Sequence, residues 1–223
     1  MSVRTPRTKS RWFAKQKERD PAAIASVVGM VVWRLGLHSI KRMRSARFEI
    51  EASPQYFAFL REYLIFLVQV ADRFALARLT LPERRVFTVN LAKQIARLVA
   101  ENESELLGGD HDAMRSRFLD TFNERADAYA ECSFAEDSGP GFDFVRLCSH
   151  LLLDVMTEQD RAWLIDQIMS IEAPEAVDRL RQVIDNLVRT AGAIVSHEEP
   201  EQDGPFPEMP AVDAPVDDPI PPE

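Results

Sequence analysis

Residues 53–78, SPQYFAFLREYLIFLVQVADRFALAR, decide the fold. At helical spacing Tyr56, Leu60, Tyr63, Leu67, Val70, Phe74 and Ala77 form one apolar seam. A second seam of Phe57, Leu64, Val68, Ala71 and Ala75 lies beside it, and Phe59 and Phe66 widen the arc. The polar residues Arg61, Glu62, Gln69, Asp72 and Arg73 collect on one narrow strip. A surface helix buries one stripe, so a helix apolar over most of its circumference needs neighbours on several sides. The stretch reads as the central helix of a bundle. If its polar strip is buried, a functional site is expected there first.

Punctuation on either side gives the other helices. Asp20-Pro21, Ser53-Pro54, Thr80-Leu81-Pro82-Glu83, Pro140 and Pro174 stand at or near helix starts, where proline and an N-cap side chain are both favoured. The expected helices are 21–44, the central one, 81–101, 112–135, 142–156, 158–169 and one from Pro174 onward. In the last, Val177, Leu180, Ile184, Leu187, Ala191 and Ile194 repeat at intervals of three and four. Residues 102–112, NESELLGGDHD, read as a loop, and SGPG at 138–141 as a breaker. Residues 45–52 read as an extended connector without a partner strand. The fold class is therefore all-α: an irregular bundle of about six or seven helices over 21–196, between a basic arm (1–20) and a tail (197–223).

Charge is segregated along the chain. Residues 1–52 carry twelve Lys/Arg against four Asp/Glu, residues 53–196 carry fifteen against 23, and residues 197–223 carry none against nine. The net charge of −9 thus hides a basic front and an acidic rear. Eight of the fourteen prolines lie in the tail, which is too polar to build a core and is expected to be disordered. Within it Phe206, Met209 and Val212 recur every third residue, which polyproline II geometry would place on one edge as a linear docking motif for another protein or for the basic N-terminal half of the chain.

The helix from Pro21 opens on an apolar run, AAIASVVGMVVW, which Arg34 interrupts after twelve residues. Spanning a bilayer takes about 20 apolar residues, so this helix reads as a core element. Its second half places Arg34, His38, Lys41 and Arg42 on one face, a candidate contact for phosphates or lipid headgroups. Cys132 and Cys148 show no CxxC spacing and read as reduced, core-packed thiols. His150 with Asp154, one turn apart, is the best local pair for a metal. It lacks the further ligands of ExxH or HExxH helices, and Arg146 makes a surface charge ladder the simpler reading. Neither a calcium loop around His111 nor a phosphate loop at 138–141 satisfies its pattern.

No catalytic motif and no cofactor emerge. The composition points to a non-enzymatic helical interaction protein, an adaptor or regulator, in the cytoplasm or peripheral to a membrane, whose partner is another protein. A second reading is polyanion binding, to nucleic acid or an anionic membrane surface, through the basic N-terminal region. A third is a helical pocket for an apolar small ligand, lined by the aromatics of the central helix.

Overall fold

The computed structural model describes residues 20–46, 48 and 53–193. The basic arm, most of the 45–52 connector and the linear motif at Phe206, Met209 and Val212 lie outside the described residues.

The bundle is all-α, as the periodicity predicts. Helix α1 runs Pro21–Ser45, α2 Pro54–Leu76, α3 Leu81–Leu107, α4 His111–Glu131, α5 Phe142–Leu153, α6 Glu158–Gln167 and α7 Ala173–Ala193. Proline opens α1 and α2 directly, with Asp20 and Ser53 capping them through side chains that accept from the amides of Ala22 and Tyr56. Glu83 accepts from both the amide and the hydroxyl of Thr80, which fixes the entry into α3.

Helix α2 is the axis. Every residue from Glu62 to Asp72 is buried, about three turns of helix. Helices α1, α3, α4, α5 and α7 all pack on it, and α1 and α4 each lie against α3. The aromatic side chains of α2 meet other core rings: Tyr63 stacks on Phe66, and Phe66 meets Tyr129 of α4 and Phe144 of α5. By length and composition α1 would reach across a membrane. In this fold it is a bundle helix, with Ala25, Val28, Val32 and Met43 wholly covered. Gly36 lets it approach α2 so closely that a Cβ there would stand 2.7 Å from Leu64 Cδ2.

Three boundaries differ from the sequence reading. Helix α3 continues through residues 102–107, where the sequence reads as a loop. Asn102 and Ser104 bond back to the carbonyls of Leu98 and Glu101, and Glu103 is buried between Arg61 and Arg117. The turn falls only at Gly108 and Gly109, both at positive φ. Helix α4 stops at Glu131, not Ala135, because a two-strand hairpin comes next: β1 (Phe134–Ala135) pairs antiparallel with β2 (Gly139–Pro140). Asp143 locks its base, accepting from the Ser133 amide at 2.8 Å and from its hydroxyl, and these bonds hold its carboxyl below the usual range.

The third difference lies at residues 168–173. No break separates the last two helices, since a π-helical turn, Ile168–Glu172, carries α6 into α7. Pro174 has no N–H to give the preceding turn, and a widened turn absorbs that mismatch. The turn also aims Glu172 inward.

Candidate functional site

The polar strip of α2 is largely buried. Glu62, Gln69 and Asp72 are each less than a tenth exposed, while Arg61 and Arg73 are partly covered. Each charge on it has a partner on a neighbouring helix. Arg61 reaches Glu103 of α3 at 3.3 Å, and burial pulls its guanidinium below the ordinary value against the pull of that carboxylate. Glu62 takes two bonds from Arg125 of α4, at 3.0 and 3.3 Å. Asp72 accepts from Arg84 through both oxygens and from the Thr88 hydroxyl, all on α3. Arg73 donates to the carbonyl of Tyr129 at 2.9 Å. Most of the strip is therefore a set of clamps that tie α3 and α4 to the axis.

Gln69 is the exception. It is 6% exposed, yet its amide nitrogen Nε2 is buried without an acceptor; Arg61 Nε lacks one too, but its guanidinium is already held by Glu103 through Nη2. A buried donor left unmade costs about 1–3 kcal/mol, so such a group needs a reason. Tyr129 Oη also meets no partner at full hydrogen-bond geometry, but it lies deep in the core beside the Cys148 thiol, a weak partner for it. Gln69 instead stands at the floor of an open groove of about 520 Å³ between α3 and α4.

The groove has a defined chemistry. From α2 come Gln69, Asp72, Arg73 and Leu76. Helix α3 contributes Leu81, Arg84, Arg85, Thr88 and Val89, and α4 contributes Phe122, Ala126, Asp127 and Ala130. Leu76, Leu81 and Val89 are exposed apolar residues, Leu81 at 70%. Arg84 is held by Asp72, whereas Arg85 is exposed on the rim. The result is a trough of mixed apolar and polar lining, with Gln69 at its floor and Arg73, Arg85 and the exposed Asp127 along its edge. It can take a segment that offers apolar side chains, an acceptor for Gln69 and a carboxylate for Arg85 and Arg73.

A second polar cluster is closed. Glu172 is fully buried and saturated: Ser39 and Arg42 donate to one oxygen, Gln167 to the other, and the Tyr63 hydroxyl donates to its carbonyl at 3.1 Å. Burial raises the Tyr63 phenol. This knot ties α1, α2 and α7 together and leaves neither carboxylate oxygen of Glu172 without a donor, while Arg42 Nε is buried without an acceptor.

It also changes the basic face expected on α1. Arg42 is turned into the seam with α7, bound to Glu172 at 2.7 Å and to Glu175. Arg34 and His38 line a groove beside Glu175 and Arg179 of α7, and Lys41 is exposed. Arg34, His38 and Lys41 are exposed on that face, and Arg42 is drawn out of it by its two carboxylates. His150 is exposed and its Nδ1 lies 2.8 Å from the Arg146 carbonyl. Among the described residues no three His, Cys, Asp or Glu side chains gather as a metal centre would require. None of the α2 aromatics lines the grooves beside Gln69, His38, Lys93 or Phe142.

Sequence reasoning found Gln69, Asp72 and Arg73 but missed Arg84, Arg85, Thr88 and Phe122. The signal was the i, i+4 spacing of Arg84 and Thr88, on the face of α3 next to the polar strip. Compared with known protein families, with curated proteins and with solved structures, the chain matches none of them.

Proposed function

We propose that the protein is a non-enzymatic helical interaction protein, an adaptor or regulator, that receives an apolar, carboxylate-bearing segment of a partner protein in the groove between α3 and α4. The observation that carries this reading is the Gln69 amide, buried at the groove floor with no acceptor of its own. A fold gains nothing from such a donor, whereas a small turn of the Gln69 side chain, whose residue lines the groove, would bring it to a ligand carbonyl or carboxylate. Leu76, Leu81 and Val89 supply apolar contact, and with Arg84 paired to Asp72 the two arginines Arg73 and Arg85 outweigh the single Asp127 and favour an acidic occupant over a basic one. Helix-lined troughs are a recurring mode of peptide capture.

Panning a random peptide library against the full chain tests this. The expected yield is peptides that combine apolar residues with Asp or Glu. Their affinity should fall about tenfold or more on Arg85→Glu or Gln69→Met, a loss of about 1.4 kcal/mol. Enrichment of peptides indifferent to both substitutions, or no enrichment at all, would contradict the proposal.

A further inference from the structure

Helix α7 starts beside Tyr63, where Glu172 precedes it, and passes Phe74 and Gly139 at Val177. It then reaches the end of α2, where Asp185 binds Arg78 at 2.6 Å. It therefore runs parallel to α2 and continues eight more residues, about 12 Å, past that ion pair. The groove opens at the same end of the bundle, at Leu76 and Leu81 on either side of the α2–α3 turn. The chain thus leaves α7 at the end of the bundle that holds the groove.

The segment after Ala193 is acidic and carries spaced apolar residues. Twelve residues separate Ala193 from Phe206, enough to span about 40 Å if extended. Crossing under the α2–α3 turn takes about one or two helix diameters, or about 10–20 Å. Residues 197–223 hold nine carboxylates and no Lys or Arg, and Phe206, Met209 and Val212 alternate with Glu208 and Asp213. The groove asks for that combination: apolar side chains for Leu76, Leu81, Val89 and Phe122, and carboxylates for Arg73 and Arg85. Proline-rich chain also offers many carbonyls that no longer compete with their own N–H groups, and these suit the Gln69 amide.

We infer that in the free protein the α3–α4 groove is covered by the chain's own segment around Phe206, Met209 and Val212, which a partner must displace. This rests on the groove being a docking site. Tethering makes even a weak fit effective, because a short linker holds its segment at an effective concentration of about 1 mM. An intrinsic dissociation constant of about 100 μM then keeps the groove about nine-tenths covered.

The test uses the full chain and a full chain carrying Phe206→Ser, Met209→Ser and Val212→Ser. The probe is a fluorescent synthetic peptide with the sequence of residues 200–214. It should bind the triple variant saturably and bind the wild-type chain about tenfold more weakly, because the tethered segment competes. Adding Arg85→Glu to the triple variant should abolish binding. Equal affinity for wild type and triple variant, no binding to the triple variant, or binding indifferent to Arg85→Glu would each overturn the inference. A difference that disappears on dilution would assign the occupant to a second copy and overturn the intramolecular form. Peptides from the panning separate the two ideas on the triple variant. If they bind where the 200–214 peptide does not, only the tail is removed; if neither binds, the groove reading falls as well.

Discussion

Replacing Phe144 with alanine is expected to cost about 3–5 kcal/mol, the usual range for a large aromatic removed from a packed core. Phe144 is fully buried, and it is the ring at which four elements meet. It touches Tyr129 of α4 at 4.7 Å between ring centroids, Phe134 of the hairpin at 5.8 Å and Phe66 of α2 at 5.9 Å. None of these neighbours is free to fill the void. Phe66 and Tyr129 are held by their helices, and Phe134 is pinned by the pairing of β1 with β2. Phe142, two residues earlier and 68% exposed, is the control. Its alanine variant should stay within about 0.5 kcal/mol of the parent. Urea unfolding of both variants gives the comparison, and a Phe144→Ala loss below about 1 kcal/mol would show that the aromatic cluster is not the core.

Removing the Glu172 carboxylate is the second large effect. Glu172→Ala strands Ser39, Gln167 and part of Arg42 in a site that excludes water, and orphaning one side of a buried pair costs about 3–5 kcal/mol. Arg42 is 27% exposed and keeps Glu175, so the lower end, about 3 kcal/mol, is expected. Removing both partners is milder than removing one, and Arg42→Met combined with Glu172→Leu should therefore recover part of the loss. The check is the denaturant midpoint of the three chains. A double variant that is less stable by the sum of two independent losses would contradict the knot.

These two sites differ in how much of them can be read from sequence. The aromatic core was legible: α2 declares its own burial through two adjacent seams, and Phe144 falls on the apolar face of α5. Helix starts were legible wherever proline and an N-cap coincide. The end of α3 was not, because its last turns are polar and owe their helix to Glu103, whose partners Arg61 and Arg117 are remote in sequence. The hairpin was hidden in SGPG, whose Gly139 needs φ of 83° and whose Gly141 has no room for a Cβ, which would stand 1.9 Å from Ser133 Oγ. Glu172 carried no signal at all, since its partners Ser39 and Arg42 lie more than a hundred residues away.

The polar strip stood between these cases. Its five residues were visible as a strip, and their burial results from the helices that pack on both flanks of α2. Which of them is a clamp and which is a site depends on the far side of each contact. Arg125, Glu103 and Arg84 supply partners for Glu62, Arg61 and Asp72, and among the described residues nothing supplies an acceptor for the Gln69 amide. That distinction is geometric, and only the placement of α3 and α4 reveals it.

The stability of the Gln69→Met chain tests the central claim most directly. Methionine matches the length and shape of glutamine without its amide. If Gln69 is a donor kept for a ligand, the substitution, made in the chain that also carries Phe206→Ser, Met209→Ser and Val212→Ser and so leaves the groove uncovered, removes an unsatisfied buried group, and that chain gains about 1 kcal/mol in urea unfolding. A loss of about 1 kcal/mol or more would mean that the amide serves the fold itself, and the groove above it would no longer be marked as a binding site.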